Sequence, residues 1–175
     1  DNLLLIDTAA GIRTIRINRP DKLNALNADT LDALDAAFAA ADHDPEVRVV
    51  VLTGAGPKAF VAGADISEMN TLTPVQGRDF SLRGTRMMRR VEKLSKPVIA
   101  MVNGFALGGG LELAMCCHLR IAADTAKVGQ PEINLGLIPG FGGSQRLLRL
   151  CGRAATLELC LTGAPINAER ALQLG

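Results

Sequence analysis

The sequence predicts an α/β domain, and three observations carry that reading. Short β-branched runs alternate with stretches of helical periodicity, glycine-rich turns follow several of those runs, and no low-complexity linker divides the 175 residues. Apolar residues make up 48% of the chain and are mostly aliphatic, enough for a full core in a single domain. Two short strands for each helix recur loosely along the chain.

Leu3 to Asp7 and Ile12 to Asn18 read as strands joined by a turn at Ala10-Gly11. Asn18-Arg19-Pro20 breaks the extended pattern, and Asn27 is placed to cap a helix. In that helix Leu31, Leu34, Phe38 and Ala41 recur at helical spacing among Asp29, Asp32 and Asp35. Val47 to Thr53 is a β-branched run ending at Gly54, the pattern of a buried strand. Thr73-Pro74 opens a long helix that Lys96-Pro97 closes. Phe80, Met87, Val91 and Leu94 give it an apolar stripe; Arg83, Arg86, Arg90 and Lys93 give it a basic one. The basic stripe reads as a solvated face, or as a contact for ligand phosphates or a neighbouring subunit. Val98 to Val102 is a further buried strand, and a helix starting near Gly109 carries Leu111 to Cys117. Leu119 to Ala122 and Lys127 to Gly129 are extended, and Pro139 to Gly143 is a loop. Helical patterns then run through Leu161, with Ser144 as the cap of the helix that continues through Leu150, and restart at Ala168.

Composition narrows the function. Nineteen basic and eighteen acidic side chains leave a formal charge of +1, and there is no Trp or Tyr. That argues against a nucleic-acid or anionic-membrane surface, and against base-stacking platforms. Cys116, Cys117, Cys151 and Cys160 match neither a metal-type spacing nor a C-x-x-C motif, as expected of reduced thiols. No apolar stretch is long enough to span a bilayer and no charged-then-apolar leader opens the chain, so a soluble protein is expected. The chain begins at Asp1 and stops at Gly175 in mid-pattern, which leads us to expect missing flanking segments. His43 and His118 are poorly placed for a metal site, and Ser144 is not in a G-x-S-x-G elbow.

Two glycine-rich stretches, Phe60 to Ile66 and Gly104 to Gly110, could let a ligand approach backbone N–H donors, the second at a helix N-terminus. Tight helix–strand packing explains them equally well. Neither spells G-x-G-x-x-G nor a phosphate-binding loop. Glu112 and Glu132 each lie among apolar and turn residues, where desolvation favours the protonated form and tunes a carboxyl for acid–base work near neutral pH. Alternatively each caps a turn or pairs with Arg120 or Arg146. Asp65, just after a glycine turn, is better suited to fixing that turn than to chemistry.

Taken together these segments are recognisable. The chain resembles the crotonase, or enoyl-CoA hydratase/isomerase, superfamily through Asn18-Arg19-Pro20 with Asn24-Ala25-Leu26, Phe60 to Ile66, Asn103 to Glu112, and Gly129-Gln130-Pro131-Glu132. Gly136 to Gly140 with Gly142-Gly143, Gln145-Arg146-Leu147 and Leu161-Thr162-Gly163 extend the match over nearly the whole chain in family order. The resemblance implies a spiral of ββα units, with two roughly perpendicular sheets surrounded by helices, spanning residues 1–175 as a catalytic core without the family's C-terminal helical segment. It implies an oxyanion hole from the N–H groups of Ala64 and Gly109, and a coenzyme A groove along Ala62, Ala64, Asp65, Ile66, Ser67, Gly108 and Gly109. Ser67 departs from the Lys that many members carry there. Glu112 would activate water for attack on the β-carbon of a 2-enoyl-CoA, and Glu132 would protonate the α-carbon. The implied partners are an acyl-CoA substrate and further copies in a trimer or pair of trimers, with no metal or redox cofactor, no nucleic acid and no membrane. The implied compartment is a bacterial-type cytoplasm, with a mitochondrial matrix left open. Enoyl-CoA isomerisation, thioester hydrolysis and a non-catalytic RNA- or protein-binding relative remain alternatives.

Overall fold

The structure, a computed structural model, describes residues 2–175. Strands β1 (Leu4–Ala9) and β2 (Ile12–Ile17) form an antiparallel hairpin, followed by helix α1 (Ala28–His43). Then come β3 (Val49–Gly54), β4 (Ala59–Val61), the short α2 (Ile66–Met69) and the long α3 (Pro74–Glu92). The next turn of chain is β5 (Val98–Val102), β6 (Phe105–Leu107) and α4 (Gly109–Cys116). The last comprises β7 (Leu119–Ala122), β8 (Lys127–Gly129), a 3-10 turn (Pro131–Leu135), α5 (Gly143–Thr162), β9 (Ile166–Asn167) and α6 (Ala168–Leu174).

Two sheets result, in strand orders β1-β2-β3-β5-β7 and β4-β6-β8-β9. Each turn of the chain adds one parallel strand to the large sheet and then one to the small sheet before a helix closes the unit. The repeat is therefore two strands per helix, as the sequence suggested. Its second strands, β4 and β6, overlap the stretches that read as glycine-rich turns. At three residues each, they are too short to show a period-two pattern.

The core sits between the large sheet and α1, α3 and α4. Ile15, Ile17, Val50, Leu52, Val98 and Ala100 point inward from the strands, and Leu31, Leu34, Phe38, Met87 and Val91 meet them from the helices. The buried-strand reading holds for one face only, because Met101, Leu119 and Ile121 on the opposite face are exposed. Helix starts follow side-chain capping where the sequence provides it. Asn27 accepts from Thr30 N at 3.0 Å, and Thr73 with Gln76 forms a reciprocal capping box. The basic stripe of α3 is not simply solvated: Arg83 pairs with Asp32 at 3.1 Å, and Arg90 grips Asp35 at 2.6 and 3.1 Å. These pairs are half-exposed, so each is worth no more than about 1 kcal/mol.

Ser144 does not cap α5. The chain enters that helix through Gly142 at φ 92°, a left-handed conformation that favours glycine, and the cap position makes no side-chain hydrogen bond. The N–H of Gly143 is taken instead by a carboxylate from another helix, that of Glu112.

Candidate active site

Helix α4 carries apolar side chains on all sides and is buried along its length, which is why it runs through the middle of the protein. Its N-terminal turn can dock against β4 because Gly110 has no Cβ; one there would run into the Val61 carbonyl. Glu112 rides on this helix with 1% of its surface exposed. One carboxylate oxygen accepts from Phe141 N at 2.9 Å and from Gly143 N at 2.6 Å. Burial pushes its carboxyl up from the ordinary 4.5 to about 7, aided by the nearby charge of Glu132 and opposed by the two N–H donors and Arg146.

Glu132 stands on the 3-10 turn after β8, partly buried, and burial raises its carboxyl as well. The Gln130 amide, fully buried and turned with its nitrogen toward the carboxylate, donates to both Glu132 oxygens at 2.9 and 3.0 Å. Glycines measure how tightly these groups meet. A Cβ on Gly108 would lie 3.0 Å from Glu132 Oε1, and one on Gly143 would touch the Gln130 amide and lie 2.8 Å from Glu112 Oε1. The two glutamates, 20 residues apart in sequence, thus share one neighbourhood at the N-terminus of α4.

The other wall is the loop after β4. Ala62 N donates to Leu23 O at 3.0 Å, Asp65 N to Leu26 O at 2.8 Å, and Gly63 O accepts from Leu26 N at 2.9 Å. Ala64 N has no backbone acceptor among the described residues, and Gly109 N, in the first turn of α4, has none either. The Gly109 backbone packs near Ala64 N: a Cβ on Gly109 would sit 3.5 Å from that nitrogen and 3.2 Å from the Phe141 ring.

Asn24, buried at φ 58°, explains the Asn18–Leu26 signature. Its amide donates to Ala55 O and Ala59 O at 3.0 and 2.9 Å, and its oxygen accepts from Arg19 N at 3.0 Å. Arg19 then binds Ala25 O and, at 2.8 Å, the Asp65 carboxylate. Asp65 also caps α2 by accepting from Ser67 N and Oγ. The Ser67 hydroxyl, then Arg19, hold its carboxyl below the usual range. Asp65 is therefore occupied as a brace, while Ile66 and Ser67 lie exposed at the edge of the loop.

Of the alternatives for the glutamates, turn capping holds for Glu112, which takes the Phe141 and Gly143 N–H groups, whereas neither arginine pairs with it or with Glu132. Arg120 binds Cys117 O at 2.9 Å, and Arg146 pairs with Glu92 at 2.7 Å. His43 is exposed and contacts Ala39 O, and His118 accepts from Val98 N. Among the described residues no three His, Cys, Asp or Glu side chains are grouped to hold a metal ion, and no helix is long and apolar enough to cross a membrane. All four cysteines are free. Sequence reasoning gave no individual role to Phe141, Gly143 or Gln130. The contacts that make them matter span 29 and 31 residues for the first two. Gln130 carried a signal only as part of the Gly129–Glu132 motif.

Two amides without a backbone acceptor lie near one buried and one partly buried carboxyl, an arrangement suited to acid–base chemistry next to a carbonyl group. The chain belongs to the enoyl-CoA hydratase/isomerase family, whose profile matches residues 7–175. It is 51% identical over 174 residues to a short-chain-enoyl-CoA hydratase of Clostridium acetobutylicum, covering 99% of this chain and 67% of that protein. It is 49% identical to a crotonyl-CoA hydratase of Syntrophomonas wolfei, covering 98% of this chain and 66% of the relative. The crystal structure of an enoyl-CoA hydratase from Bacillus anthracis superposes with a TM-score of 0.96 at 41% identity, over 99% of this chain and 68% of that one. The α/β crotonase fold expected from the resemblance is thereby established. The chain spans about two thirds of the length of these relatives.

Proposed function

We propose that residues 1–175 form the catalytic core of a lyase that hydrates 2-enoyl-CoA thioesters to 3-hydroxyacyl-CoA. The observation that carries this reading is the juxtaposition of the Ala64 and Gly109 N–H groups with two carboxyls, Glu112 buried and Glu132 partly buried, that desolvation raises above the ordinary range. Addition of water to a conjugated thioester builds negative charge on the carbonyl oxygen. Two fixed N–H donors, one at a helix N-terminus, stabilise that charge by a few kcal/mol, on the order of 3 per donor lost by mutation in comparable sites.

In this reading Glu112 is the base. At about 7 its carboxyl is poised to be ionised near neutral pH yet to hold a proton once it takes one from water. The hydroxide so generated bonds to the β-carbon as the π electrons move toward the carbonyl oxygen. Glu132 acts as the acid and gives its proton to the α-carbon. Its carboxylate is then received by the Gln130 amide donors. Proton exchange with solvent restores both groups, so the balance is one water added and no cofactor consumed. The coenzyme A moiety would run along Ala62, Ala64, Asp65, Ile66, Ser67, Gly108 and Gly109. The same reading carries the expectation of a trimer or pair of trimers in a bacterial-type cytoplasm.

The test is the loss of conjugated-thioester absorbance when crotonyl-CoA is hydrated. Glu132→Gln is expected to lower kcat by about 10²- to 10⁴-fold with little change in KM, the range for a general acid. Undiminished hydration by that variant would sink the two-carboxyl mechanism.

A further inference from the structure

The loop that holds Glu112 is itself held from its far side. Ser81 Oγ, on α3, donates to Gly140 O at 2.5 Å. Arg146 Nη1 donates to Phe141 O at 2.5 Å, and the backbone N–H groups of Gln145 and Arg146 donate to Gly142 O at 3.1 and 3.0 Å. In a trans peptide the carbonyl and the N–H point in opposite directions. The Gly140 carbonyl that faces Ser81 therefore turns the Phe141 N–H toward Glu112, and the Gly142 carbonyl that faces α5 turns the Gly143 N–H the same way. The peptide between them is fixed by the Arg146 guanidinium alone among side chains.

Arg146 is in turn locked. Its side chain is 11% exposed, its Nε donates to Glu92 Oε1 at 2.7 Å, and Nη1 also lies 3.9 Å from the Met88 sulfur. A planar guanidinium can serve a carboxylate on one edge and a carbonyl on the other, which a lysine ammonium does with less directional control. The bland alternative is that the Glu92–Arg146 pair only ties α3 to α5. It does not account for the second edge, which is spent on the one loop carbonyl that lies between the two N–H donors of Glu112.

We propose that Arg146, braced by Glu92, is a positioning residue for Glu112: it locks the central peptide of the Phe141–Gly143 loop so that both flanking N–H groups stay on the carboxylate. The inference rests on Glu112 acting as the base. The titratable groups facing Glu112 are Glu132 from the 3-10 turn and Arg146 from α5; those facing Arg146 are Glu92 from α3 and, from α4, Glu112 and the Cys116 thiol, which burial keeps protonated. The two N–H donors and the Arg146 charge hold the Glu112 carboxyl down against burial and Glu132. Loss of Arg146 therefore moves its ionisation to higher pH.

Arg146→Met, Arg146→Lys and Glu92→Gln should be compared in crotonyl-CoA hydration across pH and in amide hydrogen exchange at Gly143. For Arg146→Met we expect kcat at pH 7 to fall at least about tenfold with KM nearly unchanged, as for a mispositioned catalytic group. The acid limb of the kcat profile should shift upward, and Gly143 exchange should accelerate. Arg146→Lys should recover part of the loss, and Glu92→Gln should move all three readouts the same way by less. If Arg146→Met melts earlier but keeps the wild-type pH limb and Gly143 protection, the residue is only a tie between helices and the proposal fails. If Glu112→Gln, run in parallel, retains turnover, the assignment of the base fails instead, while the exchange measurement still decides whether Arg146 holds the loop.

Discussion

Replacing Glu112 by Gln is expected to lower kcat for enoyl-CoA hydration by about 10²- to 10⁴-fold, the contribution of a positioned general base, while acyl-CoA still binds. Gln keeps the length and an oxygen for the Phe141 and Gly143 donors, so the fold should survive. Stability should change in the opposite sense. Burial, the largest cause, lets the folded protein hold this proton up to about 7, against an ordinary 4.5 in the unfolded chain. A carboxyl raised on folding contributes stability that is full below about 4.5 and is lost as pH rises through about 7. The loss amounts to about 3 kcal/mol. Gln has no proton to release. The variant should therefore gain stability relative to the parent as pH climbs through that window, by up to about 3 kcal/mol. Chemical denaturation at pH 4.5 and pH 8 checks this, and an equal offset at both would show that Glu112 is not held protonated by its surroundings.

Gly143→Ala should disturb both carboxyls of the site with a single methyl. The added carbon would press on the Gln130 amide and lie 2.8 Å from Glu112 Oε1 and 2.9 Å from its Cγ. Glu112 cannot retreat, because α4 is wedged against β4 and the Phe141 N–H holds the same oxygen. Moving Gln130 would release Glu132. One methyl thus disturbs the supports of both carboxyls, and kcat should fall by about 10²-fold or more, the cost of displacing reacting groups by about 1 Å. Overpacking should also cost roughly 1–3 kcal/mol of stability. Crotonyl-CoA turnover and a melting curve on the purified variant measure both, and near-parental turnover would show that the two supports are not coupled through Gly143.

Much of this arrangement was legible before any coordinates. Val98–Val102 announces itself by a β-branched run and α4 by the glycines that open it at Gly109; Leu119–Ala122 and Lys127–Gly129, read as extended, are strands as well. The segments Ala59–Val61, Phe105–Leu107 and Ile166–Asn167 did not announce themselves, since two or three residues carry no periodicity and form strands only because neighbours in the small sheet accept their hydrogen bonds. Glu112 and Glu132 stood out as carboxyls in apolar company. What holds them did not stand out: Ser144 looked like the cap of α5, whereas the first N–H of that helix belongs to Glu112, 31 residues earlier in the chain. Likewise Arg83 and Arg90 looked like a free basic stripe until α1 supplied Asp32 and Asp35. Local pattern picks out the candidate acid–base groups; their partners come from tertiary proximity.

The most direct measurement is a crystal structure of the protein with a saturated acyl-CoA such as butanoyl-CoA bound. The thioester oxygen should lie within about 3.2 Å of both Ala64 N and Gly109 N. The second and third acyl carbons should then face the Glu132 and Glu112 carboxyls respectively. An acyl group seated with its carbonyl away from those two amides, or with either carboxyl on a separate cavity, would contradict the account.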